Sequence, residues 1–321
     1  MRRGSIDVVV PAYGNYPLTN ACMEHLAAQT RPHHAIVVDD GSADDTVARL
    51  KADWPRATVL EMGANQGYTR AVNRGVAEGQ GEYVVLLNND VELRPDFLAK
   101  LVAPLDLDPA IGSVASLMLV PGEQSIDSFG VTADVTLAGF ARLQGAPPQA
   151  ASGPRPQLTG PEGTAGAYRR EAWEQVGGLD ERIPAYMEIL DLALRLQTAG
   201  WRAASAPEAI GVHLGSRTYG RRSSEQRRLA GFSRGYLLRR YGVLRSRTAA
   251  RALVTEAVVT AADAVLCRDL QALRGRLDGW CAARALPRHP SPPASALDET
   301  ISMRRSLELR RSAYRPAQPS G

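Results

Sequence analysis

The sequence predicts an α/β fold with a mostly parallel, Rossmann-like sheet, and two observations support this. First, short apolar runs alternate with amphipathic stretches over about ninety residues, as in parallel strands joined by crossover helices. Second, three of these runs end in polar tips: residues 6–10 lead into Pro11-Ala12-Tyr13, 36–38 into Asp39-Asp40-Gly41-Ser42, and 83–87 into Asn88-Asn89-Asp90. Because ligands bind beyond the carboxyl ends of parallel strands, the tips predict one crevice for a nucleotide and a divalent metal.

In the first half of the chain, predicted strands and helices alternate. Strands are predicted over residues 6–10, 35–39, 57–61 and 82–87, with helices over about 17–29, 43–52 and 68–79 between them. A helix over 95–105 and a strand over 112–118 follow. Residues 144–163 contain five prolines and four glycines, which predicts a loop.

The second half is predicted to be mainly helical. Helices are expected over 170–176 and, after the break at Gly177-Gly178, over about 185–199. The apolar segment 253–267 is interrupted by Glu256 and Asp263, so we interpret it as a packing helix. Residues 287–293 hold four prolines and predict a linker. An amphipathic helix over 297–311 and a disordered tail from Pro316 complete the prediction.

Composition narrows the class of protein. No run approaches the eighteen uncharged apolar residues of a membrane span, and Met1-Arg2-Arg3-Gly4 leads directly into a strand, so we expect a soluble, cytoplasmic protein. The three cysteines have no CxxC spacing, which argues against a structural zinc site and a disulfide framework.

Residues 217–251 form a basic segment with eleven arginines and one acid, Glu225. Such a segment suits phosphates, an anionic membrane surface or nucleic acid. No nucleic-acid-binding signature accompanies it, which argues against nucleic acid. We therefore expect peripheral contact with the inner face of a membrane, and a solvated helical face is the alternative.

Several nucleotide-binding classes are disfavoured by missing motifs. The turn after the first strand lacks G-x-G-x-x-G, and no G-x-x-x-x-G-K-[ST] occurs, which argues against dehydrogenases and the commonest ATPases. The glycine-rich, basic turn of sugar nucleotidyltransferases is missing too. The remaining class recognises its nucleotide through side chains at strand ends.

From about Ile6 to Tyr241, the chain resembles the family-2 glycosyltransferases with the type-A fold, especially their rhamnosyltransferase-like branch. The resemblance rests on ordered motifs: Val10-Pro11-Ala12-Tyr13, Val38-Asp39-Asp40-Gly41-Ser42, Asn65-Gln66-Gly67 with Asn73-Arg74-Gly75, Gly81-Glu82-Tyr83 leading to Leu87-Asn88-Asn89-Asp90, Gly177-Gly178-Leu179-Asp180-Glu181, and Glu188 to Arg195 followed by His213. It implies a glycosyltransferase domain over 1–250, with a donor half (about 1–120) and an acceptor half (about 121–250), and a helical extension over 251–321.

The resemblance also implies site residues. Pro11, Tyr13, Asp39 and Asp40 would surround the base and ribose, and the motif residue Asn73 would belong to the same donor site. Asn88-Asn89-Asp90 stands where the family keeps its D-x-D metal motif, with Asp90 as the ligand. A second ligand, His213, would favour Mn²⁺ over Mg²⁺. Taken singly, the acidic and asparagine tips are also typical of plain turns, and His213 is also typical of a surface histidine.

The motif that opens the helix near residue 188 departs from the family. Glu188 matches the first acid of the family's pair and Asp191 a later one, but Ile189 occupies the position of the general base. Four explanations remain: Glu188 or another carboxylate serves as base, the acceptor needs none, the chain is inactive, or Ile189 is a substitution. We favour a recruited Glu188. For Asp191, we weigh catalysis against a surface ion pair with Arg195.

Together these features predict an inverting, metal-dependent glycosyltransferase. The donor would be a UDP or dTDP sugar, and the acceptor a hydroxyl on a glycan, a lipid-linked molecule or a small metabolite. The alternative is a catalytically silent homologue that binds sugar nucleotides or serves as a scaffold.

Overall fold

The computed structural model describes residues 2–215 and 223–312. Its strands are β1 (Arg2–Ala12), β2 (His34–Asp39), β3 (Thr58–Glu61), β4 (Gly81–Leu87), β5 (Val91–Leu93), β6 (Ile111–Leu119), β7 (Ile126–Ser128), β8 (Val131–Ala133), β9 (Gly139–Ala141), β10 (Ala165–Arg169) and β11 (Arg202–His213). Its α-helices are α1 (Tyr16–Ala27), α2 (Thr46–Asp53), α3 (Tyr68–Glu78), α4 (Phe97–Leu107), α5 (Arg170–Val176), α6 (Glu188–Thr198), α7 (Ser224–Arg240), α8 (Ala249–Cys267), α9 (Gln271–Ala282) and α10 (Met303–Ser312).

The main sheet confirms the predicted α/β fold. Its strand order is β3-β2-β1-β4-β10-β6-β11-β5, with β7 on β6. Strands β3, β2, β1 and β4 are parallel, as are β6 and β11. Strand β10 lies antiparallel between β4 and β6. The register places Ala12 beside Asp39, so the ends of β1 and β2 reach the same edge.

The strands and helices predicted for the first 119 residues are confirmed to within about four residues at each end, whereas β10 and β11 were not predicted. Both contain alanine and glycine where strands usually carry β-branched residues. Strand β10 is completely buried because it fills the gap between β4 and β6. Its neighbours in the sheet, rather than its own sequence, explain why it is a strand.

Helix α6 lies between two hydrophobic cores. Leu192 and Leu196 pack with the core formed by α3, α5 and the sheet. Leu190 and Leu194 pack with the core beneath the C-terminal helices. The apolar positions therefore cover two sides of α6, and its charged residues must find partners inside the protein.

Helices α7 and α9 cross closely because glycines face each other. A Cβ atom on Gly235 would collide with the carbonyl oxygen of Arg276, and one on Gly279 with that of Phe232. Helix α9 was not predicted, since glycine disfavours helices when neighbours are ignored. Here the missing side chains allow the two backbones to approach.

The basic segment is only partly a solvated surface. Arg227 pairs with Asp269, and Arg228 with Asp278. Arg234 and Arg240 are buried. Of the eleven arginines, Arg217, Arg221 and Arg222 lie outside the described residues. Internal partners therefore take up much of the charge that was expected on the surface.

The predicted linker contains no helix or strand, but it is fixed to the end of α7. Arg240 donates hydrogen bonds to the carbonyl of Pro287 and to His289, and the backbone N–H of His289 donates to the carbonyl of Arg240 at 2.7 Å. The amphipathic helix is confirmed as α10, and the predicted disordered tail from Pro316 lies outside the described residues. Among the helices that the structure describes, none has the length and apolar character needed to cross a bilayer.

Candidate active site

Asp39 and Asp40 lie where β2 ends, and backbone N–H groups hold both carboxylates. Asp39 accepts hydrogen bonds from the N–H groups of Gly41 and Ser42 at 3.1 and 3.0 Å. Asp40 accepts from the N–H groups of Gln66 and Gly67 at 2.6 and 2.9 Å. The loop before α3 is therefore fastened to the end of β2.

Asp90 and His213 are brought together at the same edge. His213 ends β11 and pairs with Val91 of β5, so it lies next to Asp90. Its Nε2 atom lies 3.2 Å from Asp90 Oδ2. The sequence separates the two residues by more than a hundred positions, and the antiparallel register of β5 and β11 joins them.

Asp127, from β7, lies on the other side of the imidazole ring of His213. Its Oδ2 atom is 2.8 Å from Nδ1. Burial opposes a positive charge on His213, but its hydrogen bonds to Asp127 and Asp90 outweigh it and raise the pKa of His213 to about 10. The two carboxylates therefore stabilise positive charge at this position, carried either by a proton on the ring or by a metal ion that displaces that proton.

The chemistry of these residues fits a divalent metal. Metal-binding histidines commonly have a carboxylate that orients the ring nitrogen on the side away from the metal. Asp127 has this position, because it contacts Nδ1 of His213 while Asp90 faces Nε2. Within residues 2–215 and 223–312, no group of three or more His, Cys, Asp or Glu side chains is suited to hold a metal by itself. A cation at Asp90 and His213 would need further ligands besides these two side chains.

The asparagines before Asp90 differ in their contacts. Asn89 donates from Nδ2 to the hydroxyl of Thr19 at 2.9 Å, so it links β4 to α1. The side chain of Asn88 makes no hydrogen bond within the described part of the chain and is half-buried. Of the two, Asn88 is the one that offers an unused amide to a ligand.

A short loop, residues 161–164, connects the end of β4 to the start of α6. The N–H of Asn88 donates to the carbonyl of Thr164 at 2.9 Å. Thr164 donates to Glu162 from both its N–H and its hydroxyl, at 2.8 and 2.7 Å. The negative charge of Glu162 is close enough to Glu188 to raise its pKa. Glu188 is thus only a few contacts from the metal motif.

Glu188 is the first residue of α6, and its Oε2 atom is buried with no hydrogen-bond partner in the described structure. Burial, with the charge of Glu162 added, raises the pKa of Glu188 to about 7. The preceding residues, Tyr186 and Met187, have φ angles of 59° and 106°, which are strained for residues other than glycine. Strain beside an unpartnered carboxyl group is typical of functional sites.

Asp191 has a different environment, although it lies one helical turn from Glu188. It is buried, and its oxygens accept hydrogen bonds from Nε of Arg195 at 2.7 Å and from the hydroxyl of Tyr241 at 2.9 Å. Arg195 also donates to the carbonyls of Val176 and Gly178. The ion pair weighed for Asp191 exists, but it is buried rather than on the helix surface, because α6 has cores on two sides.

Ile189 packs inside the core that contains Leu192 and Leu196. Its Cγ1 atom lies 3.5 Å from where a Cβ on Gly163 would be. A carboxylate at this position would enter an apolar environment. The structure therefore gives a packing role to the residue that replaces the family's base.

Three further predicted donor-site residues differ from one another in burial and contacts. Pro11 is half-buried at the end of β1, and Tyr13 is exposed. Asn73 lies on α3, where its amide bonds to both backbone groups of Leu179 and to Glu181. The structure thus connects Asn73 with the loop after α5 rather than with the tips of β2 and β4.

Two cavities accompany these residues. One, of about 510 Å³, lies at the ends of β2 and β3, and its lining includes Asp39 and Ser42. The other, of about 780 Å³, lies between the β8–β9 hairpin and the C-terminal helices, and Tyr186 and Met187 contribute to its wall. Six arginines and two aspartates line this second cavity. Five of these arginines pair with Asp269, Glu256 or Glu308, which leaves Arg142 as the lining arginine without an acidic partner among the described residues.

The sequence analysis missed Asp127 and Glu162. Asp127 lies 86 residues from His213, in a stretch without a recognisable motif. Glu162 lies in the proline-rich loop, where an isolated acid is typical of a solvated surface. Only the folded chain shows that each acts on a predicted residue.

Comparisons with known proteins identify the family. A profile described as "Glycosyl transferase family 2" matches residues 7–177, more than half of the chain. The chain is 29% identical over 239 residues to an N-acetylglucosaminyl-diphospho-decaprenol L-rhamnosyltransferase of Mycobacterium tuberculosis, covering 67% of this chain and 78% of the relative. It is also 29% identical to the O-antigen biosynthesis protein RfbC of Myxococcus xanthus, covering 65% of this chain and 17% of that protein.

Solved structures support the fold. A mannosyltransferase of Pyrobaculum calidifontis in complex with GDP-Man and Mn²⁺ superposes with a TM-score of 0.55 at 20% identity, over 96% of this chain and 84% of the other. GalNAc-T7 with UDP, GalNAc and Mn²⁺ superposes with a TM-score of 0.59 at 15% identity, over 86% and 55% of the two chains. The chain therefore has the type-A glycosyltransferase fold.

Proposed function

The chain belongs to glycosyl transferase family 2, and we propose that it transfers a sugar from a UDP or dTDP donor to a hydroxyl acceptor with inversion at the anomeric carbon. The observation that carries the proposal is the pairing of Asp90 with His213 at 3.2 Å. It joins the two predicted metal ligands at the edge of the sheet where nucleotides bind in open α/β folds.

For the donor, we assign the nucleoside to the cavity of about 510 Å³ beside Asp39. The diphosphate would lie near Asn88 and Asp90. Asp90 and His213 would hold Mn²⁺ or Mg²⁺, and such a cation neutralises charge on a departing diphosphate. The Mn²⁺ in the two structural neighbours supports this choice. Arg217, a further candidate for that neutralisation, lies outside the described residues.

For the chemistry, we assign the general base to Glu188. The acceptor oxygen forms a bond to the anomeric carbon, the bond from that carbon to the diphosphate oxygen breaks, and the hydroxyl proton passes to Glu188. A base works best when its pKa is near the working pH, and burial gives Glu188 a pKa of about 7. Asp191, bonded on both oxygens, would position Arg195 and the end of α5.

For the acceptor, we assign the cavity of about 780 Å³, since its wall includes Met187 next to Glu188. Arg142 lines this cavity and has no acidic partner among the described residues, so it is available to a phosphate group of the acceptor. The mycobacterial relative, whose name states a diphospho-decaprenol acceptor, supports a lipid-linked diphosphate.

One observation favours a second candidate, a sugar-nucleotide-binding protein without catalysis. Ile189 stands at the family's base position and packs in the core. In that case the donor site would be intact and turnover would be absent.

The test is a thermal-shift screen of UDP, dTDP and GDP with and without Mn²⁺, followed by a donor-consumption assay. We expect UDP or dTDP with Mn²⁺ to raise the melting temperature, because a ligand bound only by the folded state stabilises it. Asp90→Asn should remove the metal-dependent shift, whereas Glu92→Gln, at an exposed acid two residues away, should keep it. A shift without donor consumption would support the binding protein, and no shift with any nucleotide would contradict both candidates.

A further inference from the structure

Helix α8 presents its apolar side to solvent. Its large exposed side chains are Leu253, Val254, Val258, Val265 and Leu266, and the other exposed positions of this helix between them are alanines. Leu266 and Val265 are each 75% exposed. Eight of the twelve large hydrophobic side chains that are exposed in the described chain lie within residues 253–277, in or next to α8 and α9. An apolar face of this kind usually marks an interaction surface.

The charged side of α8 is turned inward, and its contacts fix the orientation. Glu256 is buried and accepts hydrogen bonds from Arg234 at 2.8 Å, Arg276 at 2.9 Å and Arg310 at 2.7 Å. Arg251 donates to the carbonyl of Ile301 at 2.6 Å. Rotating α8 to hide its apolar side would break these bonds. The exposed face is therefore built into the fold.

Basic residues flank this face. Within residues 245–274, Arg245, Arg247, Arg268 and Arg274 are exposed. The acids of this stretch are withdrawn: Glu256 and Asp263 are buried, and Asp269 pairs with Arg227. The surface thus combines aliphatic side chains with an uncompensated positive charge.

We propose that the exposed face of α8, together with Leu270 just before α9 and Leu273 and Leu277 within it, lies on an anionic membrane surface. Aliphatic side chains would enter the boundary between headgroups and acyl chains, and the arginines would meet lipid phosphates. This goes beyond the proposed function, since it concerns where the protein works. It also moves the expected membrane contact from α7 to α8 and α9, because Arg227, Arg234 and Arg240 of α7 have partners within the protein. Of the basic segment 217–251, Arg245 and Arg247 remain part of the proposed surface.

The observations favour a membrane over a second copy of the chain. In a twofold dimer the same flanking arginines would face each other, and that repulsion is absent on anionic lipid.

A membrane position would suit the acceptor cavity. Helices α8 and α9 form part of its wall through Val259, Asp263, Ala272 and Arg276, while their outer sides carry the apolar face. A lipid-linked acceptor held at the membrane would thus be close to the cavity. Membrane binding itself does not depend on the donor, so it is measured without any sugar nucleotide.

The test is co-sedimentation of the full chain with vesicles of phosphatidylcholine alone or mixed with phosphatidylglycerol. We expect binding to the anionic vesicles that weakens with salt but does not vanish, because the aliphatic contribution is not screened. The double variant V265Q/L266Q should lower the partition by about tenfold or more. The matched control is Leu107→Gln, at a side chain on α4 that is 85% exposed, and it should bind like the wild type.

Three outcomes would overturn the proposal. Equal sedimentation with neutral and anionic vesicles, or with neither, would contradict binding to an anionic membrane surface. A dimer in light scattering that V265Q/L266Q dissociates identifies a second copy as the occupant. A fall of several degrees in the melting temperature of V265Q/L266Q, with no vesicle binding by the wild type, shows that the chain covers this face itself. The melting temperature of Leu107→Gln separates that result from a general effect of glutamine.

Discussion

Two regions of the protein hold their acids in different ways. One is the strand-end edge, which is the edge of the main sheet that carries Asp39, Asp40 and Asp90, and the other is the C-terminal helices (residues 224–312). At the strand ends, backbone N–H groups hold Asp39 and Asp40, and Asp90 lies beside a single histidine. In the C-terminal helices, three arginines surround one acid, Glu256. Burial opposes ionisation of Glu256, but the arginines outweigh it and lower its pKa below the usual range.

The two regions differ in whether the charge of the carboxylate is neutralised inside the protein or remains available to a ligand. Backbone N–H groups orient a carboxylate without cancelling its full charge, so the strand-end edge can still attract a metal ion. Arginines neutralise Glu256 inside the protein, and the helices that supply them, α7, α9 and α10, become fixed to α8. Under the proposed function the edge would bind the donor and its metal, whereas the Glu256 cluster positions the helices.

The largest expected effect tests the structural side of this comparison. Glu256→Gln leaves three arginines without their shared carboxylate, and removing one partner of a buried ion pair costs about 3–5 kcal/mol. We expect that loss in the free energy of unfolding from urea denaturation, with nucleotide affinity unchanged in the folded protein. Glu308→Gln, at an exposed acid paired with Arg304, should leave the free energy of unfolding nearly unchanged, because surface ion pairs contribute little. Similar midpoints for both variants would contradict the structural role.

Glu188 tests the functional side. Glu188→Gln removes the proposed base, and transfer should fall by about 10²–10⁴ with little change in donor affinity. The wild-type rate should rise with pH through about 7, since the pKa of Glu188 is raised to about 7. Glu181→Gln, at an exposed acid in the preceding loop, should leave the rate and its pH profile unchanged. A wild type that is active and indifferent to Glu188→Gln would exclude the recruited base.

Glu188→Gln should lower the transfer rate but raise the stability of the folded protein. Because its folded pKa is raised, Glu188 keeps a proton in the folded state between about pH 4.5 and 7 that it loses in the unfolded state. The wild type therefore loses stability as the pH rises through that window. Glu188→Gln lacks this loss, so its melting temperature should exceed that of the wild type more at pH 8 than at pH 5. The reverse order would mean that the carboxylate has a stabilising partner.

Asp127 gives a smaller effect at the strand-end edge. Asp127→Asn keeps the shape of the residue but weakens its hold on Nδ1 of His213, and the loss of such an orienting partner typically costs about 10–100-fold in metal affinity. A Mn²⁺ titration in the presence of UDP or dTDP would measure it. The control Glu123→Gln alters an exposed acid of the preceding loop and should have no effect. An unchanged affinity in Asp127→Asn would place the metal elsewhere.

The smallest expected effect concerns the start of the C-terminal helices. The side chain of Ser223 caps α7 by accepting the N–H of Gln226 at 3.0 Å. Ser223→Ala should lower the free energy of unfolding by about 1 kcal/mol, as measured by urea denaturation. Ser224→Ala, at the neighbouring exposed position, is the matched control. Equal stability of the two variants would show that α7 depends on tertiary contacts alone.

Sequence patterns predicted the strand-end edge better than the C-terminal helices, for a physical reason. Asp39 binds the N–H groups of the two residues Gly41 and Ser42 in its own turn, and Asp40 binds the loop of the next motif, at Gln66 and Gly67, so short motifs contain these residues and their partners. The roles of Glu188 and Asp191 depend on burial, which differs on neighbouring turns of α6 and leaves no local trace. The packing role of Ile189 was likewise not predicted, because its partner, the loop at Gly163, comes close only in the folded chain.

The sequence by itself determined the parallel sheet, the common edge of its polar tips and the boundaries of most helices, because apolar periodicity and turn chemistry act over a few residues. Only the tertiary structure decided that Asp127 orients His213, that Asp191 is neutralised while Glu188 is not, and that α8 turns its apolar side outward. These features depend on contacts between residues that are far apart in the chain. Arg234, for example, reaches carbonyl groups 97 and 98 positions away. The sequence contains such residues, but their pairing and burial exist only once the chain has folded.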